Sequence, residues 1–309
     1  MSAAVTDKPV IATCLNGAPL QGADGRSMTK ADPSDWAKVF TAIAAAGFHY
    51  AELSDAWIRP ADMTPARRHE LVETAHSCGV ELPSLHVQRA SVIQPGIGQN
   101  NLAYAHASID AAAEMGMKVF STGLHQPLNS SQRKAFWFWL GQGPVDPPDD
   151  PERWQTAVRR IRELGRHAND AGMVMSLEMY EDTYLGRADS AVRFVSEVGL
   201  PNVGLNPDVG NLVRLHRRID DWRETYRKTL PYAVYWHLKN YQRDEAPDGS
   251  WHVAIPTTLR DGIIDYRWAV HYAQSCGYQG MFICEHYGGD VLSVCAHNAE
   301  YLQKLLSRP

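Results

Sequence analysis

Short apolar runs alternate with longer amphipathic stretches along almost the whole chain. The short runs are rich in Val, Ile, Leu and Met, and such runs are typical of strands that are buried on both faces of a sheet. The longer stretches repeat their apolar residues every three or four positions, as one face of a helix does. The pattern predicts strands at residues 9–15, 50–54, 81–87, 118–124, 173–179, 203–209, 233–240 and 280–286.

A helix is predicted after each of these strands. Several amphipathic stretches begin next to Asp or Thr and end at Gly, which are common N-cap and C-cap residues. Eight strand–helix units predict an α/β fold, a (β/α)8 TIM barrel that covers residues 1–309 as a single domain. An open doubly wound sheet is the alternative, but no G-x-G-x-x-G motif follows a strand. The helices are predicted at residues 35–47, 64–79, 100–116, 151–172, 187–199, 219–230, 265–277 and 291–306.

Two segments interrupt this alternation. Residues 126–150 lie between the fourth strand and its helix and contain the run FWFWL, and residues 241–264 follow the seventh strand. Both are longer than an ordinary connection between a strand and a helix, and long loops often cover binding sites. The aromatic-rich insertion 126–150 therefore predicts Trp137 and Trp139 as substrate-binding residues. The alternative is that these rings only close the mouth of the barrel.

Composition and charge narrow the class of protein. Hydrophobic residues make up 44% and charged residues 21% of the chain, which fits a soluble globular protein with a large core. The net charge of −5 argues against nucleic acid and anionic membranes as partners. The five cysteines are scattered without a C-x-x-C pair, and residues 1–10 lack the apolar core of a signal peptide. These observations predict a reduced, cytoplasmic enzyme without a membrane-spanning segment.

Polar side chains stand at the ends of four successive predicted strands, and the carboxyl ends of barrel strands converge on one mouth. They are Glu178, Asp208, His237 and Glu285. Taken singly, such a histidine is usually a hydrogen-bonded core residue, and such a glutamate is usually solvated or paired, here with Lys239. Together they would bury several negative charges side by side unless a cation lies among them. This oxygen-rich set suits Mn²⁺, Mg²⁺ or Co²⁺ better than a thiolate zinc site does.

Four motifs carry these residues: SLEMYED (176–182), NPDVGN (206–211), HLKNYQR (237–243) and ICEHYGGD (283–290). With these motifs in this order, the chain resembles the xylose-isomerase-like superfamily. Within it, the chain is most similar to the sugar phosphate isomerase/epimerase branch, which includes ketose 3-epimerases, hydroxypyruvate isomerase and inosose dehydratase. The resemblance implies that these four side chains hold a divalent metal, with Mn²⁺ preferred and Mg²⁺, Co²⁺ or Zn²⁺ as alternatives. It also implies that Glu178 and Glu285 act as acid and base.

The resemblance extends to residues around the predicted metal site. Arg243 matches the arginine that contacts a substrate oxygen in ketose epimerases, whereas Asn211 stands where those enzymes have a histidine. His86 and His125, at the ends of the third and fourth strands, resemble the additional histidines of endonuclease relatives that bind two or three metals. We predict Arg243, Asn211, His86 and Lys239 as substrate-binding residues and His125 as an additional acid or base.

The predicted site suits proton abstraction next to the carbonyl of a sugar or keto-sugar, as in isomerases and epimerases. Two alternatives stay open. A lyase of the C-glycoside deglycosidase type would eliminate an aromatic aglycone from a 3-oxo-glycoside, with a small partner subunit. The other alternative is a barrel that binds a sugar or acts as a scaffold without catalysis. The predicted partners are a sugar or glycoside and either a second copy of this chain or a small subunit.

Overall fold

A computed structural model of the chain describes residues 9–15 and 17–307. The strands within these residues are β1 (Ile11–Cys14), β2 (Tyr50–Ser54), β3 (Glu81–His86), β4 (Val119–Thr122), β5 (Val174–Glu178), β6 (Val203–Asn206), β7 (Tyr235–Leu238), β8 (Asn240–Glu245), β9 (His252–Thr257) and β10 (Met281–Cys284). The N-terminal residues 1–8, which belong to the segment predicted to lack a signal peptide, lie outside the described residues.

The α-helices in the same residues are α1 (Pro33–Ala45), α2 (Pro65–Ser77), α3 (Gly98–Glu114), α4 (Ser130–Lys134), α5 (Pro151–Asp170), α6 (Ala188–Val198), α7 (Gly210–Val213), α8 (Trp222–Thr229), α9 (Tyr266–Ser275) and α10 (Val291–Leu306). Short 3-10 helices lie at Met28–Lys30, Pro60–Asp62, Phe138–Leu140 and Leu230–Tyr232. Among the described helices, none is both long and apolar enough to span a membrane.

Eight strands form one parallel sheet in the order β6-β5-β4-β3-β2-β1-β10-β7, and this sheet is nearly closed into a barrel. Its two ends meet through a single bridge between Leu205 and Ala233 instead of a full ladder. Two hydrogen bonds hold this seam between β6 and β7, one that belongs to the bridge itself and one that is made by a side chain. Val234 N–H donates to the Leu205 carbonyl over 3.0 Å, and His237 N–H donates to Asn206 Oδ1 over 2.8 Å. The closing seam therefore places His237 beside the end of β6.

The predicted (β/α)8 barrel is confirmed. Each of the eight predicted strands contains one observed barrel strand, and Leu177 and Trp236 show the complete burial expected inside a parallel sheet. The helix boundaries follow local chemistry. The Asp32 carboxylate accepts the N–H of Ser34 at the start of α1, and α6 ends at Gly199 with a left-handed φ of 64°.

The two segments that interrupt the alternation pack against each other. The insertion 126–150 contains α4 and the 3-10 helix Phe138–Leu140. The segment after β7, for which a long loop is predicted, contains the antiparallel strands β8 and β9, with Gly249 in the turn at a φ of 75°. The Trp139 indole N–H donates to the Ala254 carbonyl of β9 over 3.1 Å. The insertion and the hairpin therefore form one continuous rim.

Candidate active site

The four predicted metal ligands lie close together in the mouth of the barrel. Glu178 is the last residue of β5, His237 lies in β7, and the other two follow the ends of β6 and β10. One ligand atom from each side chain lies within 4.8 Å of the others, and all four side chains are buried. His237 Nδ1 is 3.3 Å from Glu285 Oε2. The same nitrogen is 3.7 Å from Glu178 Oε1 and 3.8 Å from Asp208 Oδ2.

The other ring nitrogen of His237 is held by Glu52, in the middle of β2. Nε2 lies 2.8 Å from Glu52 Oε2, and the Tyr235 hydroxyl donates to the same oxygen over 2.8 Å. Burial lowers the pKa of His237, but the surrounding carboxylates outweigh it and raise that pKa well above its ordinary value. With Nε2–H donated to Glu52, Nδ1 is the nitrogen that exchanges its proton for a metal ion.

Lys239 supplies a positive charge inside this acidic cluster. Its ammonium donates to Glu285 Oε2 over 2.6 Å and also to Asp208 Oδ2. Burial, together with the neighbouring glutamates, raises the pKa of Asp208 to about 7 although Lys239 acts in the opposite direction. At Glu285, burial is outweighed by Lys239 and His237, which lower the pKa of that carboxyl. One ammonium thus serves two carboxylates, and the cluster can accept further positive charge.

The donor atoms of the cluster fit a divalent cation. Asp208 Oδ1 and His237 Nδ1 are buried and have no hydrogen-bond partner among the described residues. Leaving such atoms unsatisfied costs roughly 1–3 kcal/mol each, and an ion between them would satisfy both. Three carboxylates and one imidazole are the donors that Mn²⁺, Mg²⁺ and Co²⁺ accept in proteins. These residues could therefore hold such a metal.

His86 and His125 extend the cluster on the other side of Glu178. Their Nε2 atoms lie 2.9 and 3.0 Å from Glu178 Oε2, and the three side chains form a second group that could bind a metal. Neither Nε2 atom is aligned for a hydrogen bond. Burial raises the pKa of Glu178, but His86 and His125 outweigh it and lower the pKa well below its ordinary value. Glu178 is therefore ionised and shared between two groups of ligands.

Two residues predicted to bind substrate have their polar groups occupied by other parts of the protein. The Asn211 amide donates to Glu178 Oε1 over 2.8 Å and to the Met179 carbonyl over 2.9 Å, so it orients Glu178. The guanidinium of Arg243 donates to backbone carbonyls of the segment 213–217, including Arg217 O over 2.7 Å. The structure does not bring Arg243 into the carboxylate cluster, and its contact with substrate stays a prediction.

The two predicted tryptophans differ in exposure. Their rings stack with centroids 4.8 Å apart. Trp139 is buried and uses its indole N–H within the rim, whereas Trp137 is partly exposed and lies against Gly288, after β10. Trp137 is thus the tryptophan that substrate could reach, and a binding role for either ring stays a prediction.

Sequence reasoning did not single out a group of arginine and tyrosine residues around the mouth. Arg214 is fully buried and donates to both oxygens of Glu181 and to the Tyr241 hydroxyl. Arg89 lies on the loop after β3 and donates to the Tyr180 hydroxyl over 3.0 Å. The rule that strand ends converge could have identified Arg89, because it follows His86 by three residues. No comparable signal marks Arg214.

Comparison with known proteins gives the following relatives. Residues 40–306 match the family model described as Xylose isomerase-like TIM barrel. A solved structure of a xylose isomerase-like TIM barrel protein from Mycobacterium smegmatis, in complex with magnesium, is 41% identical to this chain. Its TM-score is 0.91, and the match covers 97% of this chain and 96% of that one.

More distant structures share the fold. D-psicose 3-epimerase from Clostridium cellulolyticum H10, solved with D-tagatose, is 17% identical with a TM-score of 0.67, and the match covers 97% of this chain and 100% of that one. 3-keto-D-glucoside 4-epimerase from E. coli is 16% identical with a TM-score of 0.66, and the match covers 96% and 100%. No curated protein matches the sequence significantly.

Proposed function

Because this chain belongs to the Xylose isomerase-like TIM barrel family, we propose that it is a divalent-metal-dependent enzyme that moves a proton next to the carbonyl of a sugar or keto-sugar. The observation that carries this proposal is the meeting of Glu178, Asp208, His237 and Glu285 within 4.8 Å at the ends of four strands. The magnesium complex of the Mycobacterium smegmatis protein supports a divalent ion. The shared fold with two sugar epimerases supports a keto-sugar as substrate.

The bound cation would polarise the carbonyl oxygen of the sugar and acidify the adjacent C–H group. Glu178 and Glu285 stand at the two ends of the arc formed by β5, β6, β7 and β10, so a substrate between them has a carboxylate on either side. Glu178 is ionised and suited to accept the proton. Glu285 is also ionised in the free site, so it would first take up a proton from water or from a substrate hydroxyl and then return it to the substrate carbon. His125 Nε2 is 3.0 Å from Glu178 Oε2, so His125 can accept the proton that Glu178 takes up and transfer it further.

The ion we expect is Mn²⁺. Three carboxylates and one imidazole leave coordination positions for the carbonyl and hydroxyl oxygens of a sugar, and Mn²⁺ tolerates this mixed oxygen and nitrogen set. Mg²⁺, Co²⁺ and Zn²⁺ are the competing ions. Calorimetric titration of the metal-stripped protein with each of the four ions would rank their affinities. Zn²⁺ generally binds protein sites more tightly than Mn²⁺ does. A preference for Zn²⁺ that is larger than this general difference would contradict the assignment.

An elimination reaction is the second candidate. The partly exposed Phe138 ring lies beside Tyr287, with ring centroids 5.9 Å apart, and the partly exposed Trp137 ring lies against the neighbouring Gly288. Such a wall suits a flat aromatic aglycone. If the substrate carries a leaving group β to the carbonyl, the same proton abstraction by Glu178 would expel it. We expect either a second copy of this chain or a small subunit as partner in this case, and the mass of the purified particle would reveal it.

The test is hydrogen exchange at the carbon next to the carbonyl. The purified protein with Mn²⁺ would be incubated in D₂O with a panel of ketoses and 3-oxo-glycosides, and deuterium uptake would be followed by NMR. We expect uptake that requires the metal and falls by about 10²–10⁴-fold in Glu178→Gln and Glu285→Gln, because general acid–base catalysis contributes that much. Glu73→Gln, an exposed glutamate on α2, is the matched control.

The products separate the candidates. Return of the proton to the same carbon gives an epimer, return to the neighbouring carbon gives an isomer, and release of an aglycone identifies a lyase. Binding of a sugar without deuterium uptake would support the non-catalytic alternative. Equal uptake in wild type and Glu178→Gln would contradict the proposed role of that residue.

A further inference from the structure

Arg89 is a cation at the mouth that the proposed chemistry does not use. It follows β3 by three residues, and its side chain reaches the segments after β4 and β5. One guanidinium N–H donates to the Gln126 carbonyl over 3.3 Å, and another donates to the Tyr180 hydroxyl over 3.0 Å. Its Cζ atom is 5.1 Å from the centre of the Phe138 ring. Arg89 therefore lies where the insertion meets the barrel mouth.

Arg89 forms no ion pair with any carboxylate in the described part of the chain, although one carboxylate lies nearby. Glu181 is directly paired with Arg214, whose guanidinium nitrogen is 3.2 and 3.3 Å from its two oxygens. Arg214 is fully buried, whereas Arg89 is only partly buried. Arg89 and Arg214 both lie near Glu181, but Glu181 is paired with Arg214. The positive charge of the partly exposed Arg89 is therefore not balanced by an ion pair.

Tyr180 adds a neutral donor beside this charge. Its hydroxyl accepts an N–H from Arg89, so its own hydrogen is available to another acceptor. A tyrosine hydroxyl ordinarily has a pKa of about 10, so it keeps its hydrogen at neutral pH. The Tyr180 ring packs edge-on against His125 with centroids 4.5 Å apart. The Arg89 and Tyr180 donors therefore lie one ring away from the His125 and Glu178 pair.

The backbone of Arg89 is held in a conformation that arginine rarely adopts. Its φ is 52°, in the left-handed region, which is unfavourable for a residue other than glycine. The surrounding loop is tied to the end of β4, since Val87 N–H donates to the Ser121 carbonyl over 2.8 Å and Ser91 N–H donates to the His125 carbonyl over 3.1 Å. Strain of this kind persists where the fold imposes it and is concentrated at ligand-binding sites.

We propose that Arg89 and the Tyr180 hydroxyl bind a carboxylate on the substrate, at the end remote from the reacting carbonyl, so that the substrate is an acidic keto-sugar. This inference rests on the proposed function, because the carbonyl end is assigned to the carboxylate cluster. A guanidinium offers two parallel N–H donors to a carboxylate, and Tyr180 can donate a third hydrogen bond.

A carboxylate fits these donors better than a phosphate. Arg89 contributes one uncompensated positive charge, which balances one negative charge, whereas a phosphate monoester carries close to two at neutral pH. Lys239, the buried cation of the metal cluster, is already bonded to Asp208 and Glu285. A phosphate would therefore keep part of its charge unbalanced beside the acidic cluster.

The test compares three probes that share one skeleton: D-fructose, D-fructuronate and D-fructose 6-phosphate. Calorimetric binding to the Mn²⁺-loaded protein and C–H exchange in D₂O would both be measured. We expect D-fructuronate to bind most tightly, and Arg89→Gln to weaken its binding by about 10- to 100-fold, because a hydrogen bond to a charged group contributes that much. Arg89→Gln should leave the binding of neutral D-fructose unchanged. Arg89→Lys should restore part of the affinity for D-fructuronate. Tyr180→Phe should weaken the binding of D-fructuronate by about tenfold.

Controls separate this role from a purely structural one. Arg193→Gln removes the same charge from an exposed position on α6 and should leave all three affinities unchanged. If Arg89→Gln weakens all three probes equally, or if wild type binds none of them or prefers the phosphate, the proposal is wrong. Failure of the proposed function has a different signature. It would appear as binding of D-fructuronate through Arg89 without C–H exchange in any probe.

Discussion

At the scale of single residues, His237 explains why a deeply buried strand carries a polar group at its end. Its backbone N–H is bonded to Asn206, its Nε2 to Glu52, and its Nδ1 faces the carboxylate cluster. Each contact comes from a different strand. A histidine so constrained on three sides offers one nitrogen in one direction, which is the property that a metal ligand needs.

Lys239 carries the first prediction, which concerns stability without metal. Its ammonium bonds to Asp208 and Glu285, so Lys239→Met would leave two buried carboxylates without their cation. We expect the metal-free variant to lose on the order of 3–5 kcal/mol of unfolding free energy, and saturating Mn²⁺ to restore a large part of it. Denaturant unfolding in EDTA and in Mn²⁺ measures both values.

The matched control for this prediction is Lys228→Met. Lys228 pairs with Asp189, but both side chains are largely exposed, so this change should cost at most about 1 kcal/mol. Equal losses in the two variants, or no recovery with metal in Lys239→Met, would contradict the view that Lys239 serves as a counter-ion for the ligands.

Residues at strand ends could be placed from the sequence because a parallel barrel puts all these ends on one face. Glu178, Asp208, His237 and Glu285 share that position. What the amide of Asn211 binds could not be foreseen, because α7 turns it back towards Glu178 and no periodic pattern reports a side-chain direction. Arg243 shows the same limit, since its guanidinium reaches backbone carbonyls instead of the cluster.

At the scale of elements, the insertion 126–150 is anchored by Trp139. This residue is buried, bonds to Ala254 and contacts the rings of Tyr241 and Tyr287. We expect Trp139→Ala to lower the unfolding free energy by about 3–5 kcal/mol or to expose the insertion to proteases, since large buried aromatic residues contribute that much. Denaturant unfolding and limited proteolysis measure the two outcomes.

Phe136→Ala is the matched control, because this ring in the same insertion is 87% exposed. Its effect should stay within about 0.5 kcal/mol. A Trp139→Ala protein as stable and as protease-resistant as the control would show that the insertion does not depend on this anchor.

Asp146 links the far end of the insertion to the segment after β5 and carries a pH prediction. Burial raises its pKa to about 6, against the opposing effects of the Tyr184 N–H and Arg153. A carboxyl with a raised folded-state pKa favours the folded state at low pH, and this contribution is lost as the pH rises from about 4 through 6.

Asp146→Asn removes this titration. Between pH 4 and pH 7 the wild type should therefore lose stability relative to the variant, by on the order of 2 kcal/mol. Urea unfolding at a series of pH values measures the difference. A difference that does not change across this range, or changes in the other direction, would contradict the raised pKa.

The hairpin β8–β9 was predicted only as a long segment, although the sequence contains a signal for it. P-D-G at 247–249 lies between two stretches of extended residues, and this combination is typical of a tight turn that joins antiparallel strands. The barrel strands were easier to predict because continuous apolar runs mark them, whereas β8 is mostly exposed beyond Tyr241.

At the scale of the whole molecule, the barrel closes through a seam that depends on a side chain. Asn206 Oδ1 accepts the N–H of His237 where β6 and β7 lack a regular ladder. Asn206→Ala should therefore cost about 1–3 kcal/mol of unfolding free energy by leaving a buried N–H unpaired, and should also lower the affinity for Mn²⁺. Thermal unfolding and calorimetric titration measure these effects.

Asn100→Ala serves as the control for this last change, since Asn100 is exposed on α3. Alanine is the stronger helix former, so the control should be neutral or slightly more stable. A seam variant that matches the control in both measurements would mean that the backbone alone closes the barrel.

The bond between Trp139 and Ala254 joins two segments that none of the eight barrel strands contains. On the proposed function, the rim contacts the substrate and the strand ends hold the metal, so substrate preference can change over evolutionary time without a change in metal binding. Descendants of one ancestral barrel could exchange the insertion and the hairpin as a matched pair. They would then acquire a new specificity for sugars and keep the same metal ion. A chimaera that receives only the insertion or only the hairpin should be less stable than either parent.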